Sequence, residues 1–71
     1  MNFFAYRLNR LRKENRMTQE KLAAILRISR SSIAAWEQGR NEPNIQMLIA
    51  IAEYFGVSVD FLIGKQPCGK D

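Results

Sequence analysis

Hydrophobic residues along this chain recur at helical spacing in five short runs, and nowhere alternate as a half-buried strand would. The first run spans about Phe3 to Glu14. There Phe4, Leu8 and Leu11 fall at i, i+4 and i+7 to form one buried stripe, with Arg7, Arg10 and Lys13 facing away. Thr18 is a good N-cap for a second helix, whose apolar positions are Leu22, Ala23, Ile25 and Leu26. Lys21 stands where a reciprocal capping box needs Glu or Gln, so that box is absent. Ser29 caps a third helix that buries Ile33 and Trp36 one turn apart and stops at Gly39. After the loop Arg40-Asn41-Glu42-Pro43, Asn44 caps a fourth helix with Ile45, Leu48, Ile49, Ala52 and Phe55 on one face, ended by Gly56. Ser58 caps a last helix from Val59 to Ile63, ended by Gly64. The pattern predicts an all-α bundle of five short helices, in which helices 2 and 3, joined by a tight turn, have the layout of a helix-turn-helix.

Length and composition narrow the function classes. Seventy-one residues make one domain, expected over residues 1–64, with 65–71 as a flexible tail. A chain of this size buries only about 60% of its unfolded surface and has too little material for a deep catalytic cleft. It contains no His and a single cysteine, Cys68, so neither a zinc ligand set nor an intrachain disulfide can be assembled. Its acids are scattered over all segments, and no nucleophile–base pair follows from them. We therefore expect no enzyme, no metal and no cofactor. No run approaches the roughly 18 apolar residues of a membrane span, and Arg7 and Arg10 interrupt the apolar start before a signal-peptide core forms. The expectation is a cytoplasmic protein with no membrane association.

Charge points to a polyanion. Eleven Lys and Arg stand against seven Asp and Glu, for a formal net charge of +4. Such an excess favours nucleic acid by long-range attraction, although many small soluble proteins are mildly basic. The third helix sharpens the point. With Ile33 and Trp36 inward, a helical wheel turns Ser31, Ala34, Ala35 and Gln38 outward, with Arg30 projecting from the first turn. That face carries no acid and no large apolar group. Arg reads guanine, Gln reads adenine, Ser accepts several bases and methyl groups meet thymine, so Arg30, Ser31, Ala35 and Gln38 supply all four contact types. An ordinary solvated helix face is the alternative. Thr18 and Gln19 open the second helix, and Arg40, Asn41 and Asn44 crowd the start of the fourth; exposed amides and the positive dipole end suit phosphates there. Thr18 and Asn44 serve as caps whether or not DNA is present.

Six segments in order carry a resemblance. They are Leu8…Leu11-Arg12; Thr18-Gln19-Glu20-Lys21-Leu22-Ala23; Ser29-Arg30-Ser31-Ser32-Ile33; Trp36-Glu37-Gln38-Gly39-Arg40; Pro43 before a leucine-containing helix; and Phe55-Gly56-Val57-Ser58-Val59-Asp60-Phe61-Leu62. From about Tyr6 to Gly64 the chain resembles the Cro/Xre family of phage-repressor-like helix-turn-helix domains. The resemblance implies a phosphate and first-base contact for Gln19, and base reading for Arg30, Ser31 and Ala35. It also implies phosphate or flanking-base contacts for Ser32, Gln38 and Arg40. Finally, it implies an ion pair between Arg12 and Glu37 that ties the first helix to the third and orients Arg12 towards the DNA backbone; a solvated Glu37 is the alternative.

One departure stands out. Where the family usually has a left-handed Gly between the motif helices, this chain has Arg27. Either the turn changes shape, or Arg27 accepts the strain and projects a cation over a phosphate. The last helix is also apolar beyond its length: Leu62 closes the core, while Val57, Val59, Phe61 and Ile63 either cap it too or form a patch that pairs with a second copy. The function implied is a sequence-specific transcriptional regulator of double-stranded DNA, acting as a repressor and binding as a homodimer to an inverted repeat. The alternative is an antitoxin or controller component that holds a partner protein and autoregulates through DNA.

Overall fold

The computed structural model describes residues 3–64; the expected tail 65–71, with Cys68, lies outside the described residues. Five helices follow in order: α1 (Phe4–Glu14), α2 (Gln19–Leu26), α3 (Arg30–Glu37), α4 (Ile45–Phe55) and α5 (Val59–Ile63). No strand occurs among the described residues. Four helix starts are locally determined. The side chains of Thr18, Ser29, Asn44 and Ser58 accept hydrogen bonds from the backbone N–H of Lys21, Ser32, Met47 and Phe61. Each bond satisfies one of the N–H groups that a helix start leaves without an intrahelical partner.

The core forms where the apolar stripes of all five helices meet. Leu8, Leu22, Ile33, Ile51 and Leu62 are fully buried, one from each helix. Phe4 and Trp36 join them edge to face, with ring centroids 6.2 Å apart. The first and last elements are stapled together, because Phe3 N–H donates to the Ile63 carbonyl at 3.3 Å. Gly64 is required at this junction: its φ is +86°, and a Cβ there would collide with the Phe3 ring.

Three local expectations change. In α4 the core face is Leu48, Ile51, Ala52 and Phe55, whereas Ile45 is 73% exposed and Ile49 is exposed as well. This helix is apolar almost all round, so two overlapping stripes satisfy the same periodicity, and packing selects between them. Ile25 on α2 is likewise partly exposed. Arg7 does not face away from the bundle. Its guanidinium lies 4.3 Å from the centroid of the Phe61 ring, and its Nη1 is buried without a hydrogen-bond partner. Around α5, Leu62 closes the core as expected. Val57 and Val59 pack against that core from a half-buried position, while Phe61 lies beneath Arg7. These contacts account for much of the segment's apolar character within one chain.

Candidate nucleic-acid interface

The turn that presents α3 is made by Arg27. Its φ of 62° and ψ of 44° are left-handed, and its N–H closes onto the Ala24 carbonyl. Ile28 N–H returns to the Ala23 carbonyl at 3.0 Å, which completes the helix end. The turn therefore keeps the shape that glycine usually supplies, and Arg27 carries the strain. A second left-handed arginine, Arg16 at φ 56°, closes the end of α1 in the same way. Both side chains are exposed.

Behind α3 sits a carboxylate with many donors. Arg12 Nε donates to Glu37 Oε2 at 2.7 Å, and Arg12 Nη2 donates to Glu37 Oε1 at 3.0 Å. Asn9 Nδ2 at 3.0 Å and Gln19 Nε2 at 3.1 Å donate to the same Oε1. Burial pushes the Glu37 carboxyl up, but these hydrogen bonds and the Arg12 charge outweigh it and leave Glu37 below its ordinary value. The Glu37 hydrogen bonds raise Arg12 above the usual guanidinium value against its own burial. The expected ion pair is thus present and joins α1, α2 and α3. Arg12 is buried rather than projected outward, and its Nη1 also donates to the Met17 carbonyl at 2.7 Å.

Gln19 carries this arrangement outward. With Nε2 on Glu37, its amide has one orientation, and Oε1 accepts from Arg30 Nη1 at 2.9 Å. Glu20 Oε2 flanks the same guanidinium, 3.8 Å from Nε. Arg30 and Ser31 are exposed on α3, Gln38 is exposed at its C-cap, and Ala34 is half-buried. Ala35 differs from the helical-wheel expectation, being 8% exposed. The helix end closes at this residue, with Arg40 N–H donating to the Ala35 carbonyl at 3.0 Å. Ala35 instead helps line a shallow cleft of about 380 Å³ with Ser31, Ser32, Arg40 and Asn41. Within the serine cluster, Ser29 Oγ shares hydrogen bonds with the hydroxyls of Ser31 and Ser32 at 3.0 and 3.1 Å.

The remaining candidates occupy the rim. Arg40, Asn41 and Asn44 are exposed, and Asn44 Oδ1 is occupied in capping at 2.8 Å from Met47 N, which leaves its amide donors outward. Thr18 lies on a different patch, beside Arg16 and Lys21. Two participants escaped the sequence reading. Asn9 donates to Glu37 from one turn before Arg12, an i, i+3 relation that marks the same face of α1. Glu20 meets Arg30 across the turn, and no spacing rule announces that pairing.

Two short helices joined by a left-handed turn, the second with a polar, cationic outer face, define a helix-turn-helix unit. A helix-turn-helix family model matches residues 8–62, and the chain belongs to this family, in its Cro/Xre-like, phage-repressor-like branch. The chain is 40% identical over 63 residues to the transcriptional activator BcrR of Enterococcus faecalis, covering 89% of this chain and 31% of BcrR. A transcriptional regulator from Listeria innocua superposes with a TM-score of 0.88 at 33% identity, over all of this chain and 67% of that one. The P22 c2 repressor, solved in complex with a synthetic operator, superposes with a TM-score of 0.83 at 26% identity, over 93% of this chain and all of that one. Each of these three is a transcriptional regulator or repressor. No helix among the described residues is long and apolar enough to cross a membrane.

Proposed function

We propose that this chain reads a specific sequence in double-stranded DNA as the DNA-binding part of a transcriptional regulator, with residues 1–64 forming the binding domain. The observation that carries the reading is the outer face of α3. Arg30, Ser31 and Gln38 are exposed there with no acid on the helix's outer side, beside a cleft edged by Arg40 and Asn41. Such a helix lies in the major groove, where Arg30 matches guanine O6 and N7, Gln38 suits adenine, and Ser31 accepts either donor or acceptor. The half-buried Ala34 offers methyl surface to thymine, and Ala35 only a small part of the cleft floor. Gln19, Ser32, Arg40, Asn41 and Asn44 border this helix as phosphate contacts, with Thr18 and Arg16 reaching the backbone from the neighbouring patch; such contacts set register without reading sequence.

One recognition helix spans few base pairs, so specificity calls for two. We propose a homodimer on an inverted repeat, with Phe61 and Ile63 as its contact and Val57 and Val59 supporting them from the core side. The regulatory outcome is repression by occlusion of the bound site, in the cytoplasm. A salt titration tests the electrostatic part. If two subunits neutralise on the order of eight phosphates, log K falls against log salt with a slope near −7. A slope near zero overturns the reading.

A further inference from the structure

Glu20 lies outside the set of expected DNA contacts, yet it touches the longest side chain on the reading face. Arg30 is held on two sides by consecutive residues of α2: Glu20 Oε2 is 3.8 Å from Nε, and Gln19 Oε1 accepts from Nη1 at 2.9 Å. The two side chains of the ion pair are 74% and 53% exposed, for Glu20 and Arg30 respectively, so the pair does not support the core. Behind Gln19 the chain of contacts is anchored on Glu37 and the buried Arg12. An exposed carboxylate is thus placed against a guanidinium whose other neighbour is hydrogen-bonded to Glu37.

We infer that Glu20 is a positioning residue that sets base specificity through Arg30. An unescorted arginine on this face is attracted to any phosphate, which strengthens binding to all sequences alike. Glu20 reduces that attraction and restrains the guanidinium near Gln19. A guanine recovers the interaction, because its O6 and N7 accept two N–H groups of the planar fork at once. Other bases offer Arg30 no such pair. Glu20 therefore weakens binding to unrelated DNA more than binding to a site with guanine beneath Arg30. The inference rests on the DNA-reading function proposed above. An exposed ion pair of this kind shifts an equilibrium by about two- to fivefold.

The test uses the full chain and three duplexes: a selected site, the same site with the Arg30-dependent guanine replaced, and a random sequence. That guanine is the one whose preference Arg30→Ala abolishes. Glu20→Gln keeps size and removes charge. It is expected to raise affinity for random duplex and lower guanine preference, each by about two- to fivefold, with the thermal midpoint little changed. In the Arg30→Ala background the same substitution is expected to do neither, because the two residues act as one unit. A uniform gain on all three duplexes that persists without Arg30 means simple repulsion of phosphates and overturns the inference. An unchanged guanine preference in Glu20→Gln, or no guanine preference lost in Arg30→Ala, also overturns it. Failure of the unsubstituted chain to prefer any duplex removes the DNA-reading function first and this inference with it, before any Glu20 variant is measured.

Discussion

Two arginine–glutamate pairs flank Gln19, and they differ in almost every physical respect. Arg12 and Glu37 meet at 2.7 Å with side chains 11% and 6% exposed. Arg30 and Glu20 stand 3.8 Å apart, with more than half of each side chain in solvent. The inner pair is satisfied by Asn9, Gln19 and the Met17 carbonyl, so its charges are compensated where water is absent. The outer pair has one further contact, from Gln19, and is screened by solvent and salt. Identical chemistry thus serves two purposes. Enclosed, it locks three helices in register; exposed, it leaves a cation poised for another partner.

The largest effect expected is on the inner pair. Glu37→Ala strands Arg12 in a buried position, and removing one member of a buried pair costs about 3 kcal/mol or more. For a domain of this size that is a large share of a total stability of about 4–10 kcal/mol. Thermal unfolding should show a drop of more than ten degrees, by the usual scaling of about 4–8 °C per kcal/mol. A drop of one or two degrees would place Glu37 with the outer pair instead. The pH dependence sharpens the same point. The folded state holds the Glu37 carboxyl below its ordinary value, so its contribution is complete above an unfolded pKa of about 4.3 and is lost as pH falls through the folded value. Denaturant titrations between neutral pH and pH 3 should show this loss, and Glu37→Gln should flatten the slope in that window.

The outer region should respond in DNA affinity and hardly at all in stability. Arg30→Ala is expected to cost about 1–3 kcal/mol of preference at one base position, with the unfolding midpoint nearly unchanged. A uniform affinity loss over all sequences would make Arg30 a phosphate contact only. The smallest effect concerns the turn between the two regions. Arg27→Gly relieves a left-handed strain of about 1 kcal/mol, partly offset by the greater freedom of glycine when unfolded. The midpoint should rise by a few degrees with little change in DNA affinity. A clear fall would mean that the Arg27 side chain stabilises the turn, and a clear affinity loss would mean that it contacts DNA.

The contrast also explains what could be seen in the sequence. Thr18, Ser29, Asn44 and Ser58 were legible as caps because each bond is completed three residues further on. The left-handed turn was legible at Arg27 only as a departure from the resembled family, and Arg16, which has the same conformation, carried no such marker. On α4, Ile51 was missed and Ile45 misplaced because several rotations of an apolar helix look alike until neighbours choose one. The ion pair of Arg12 and Glu37 was legible through the resemblance, but not its inward aim, which depends on Met17 and Asn9. Ala35 looked open on an isolated wheel and is buried in the folded chain. In each case the missing information lies between elements and not within them.

The central claim is that α3 reads bases. Selection of bound duplexes from a random pool by the full chain tests it most directly. The expected result is enrichment of a short inverted repeat with a guanine in each half-site, lost when Arg30 is replaced by Ala. Recovery of an unenriched pool, at an affinity that Arg30→Ala leaves unchanged, would contradict it.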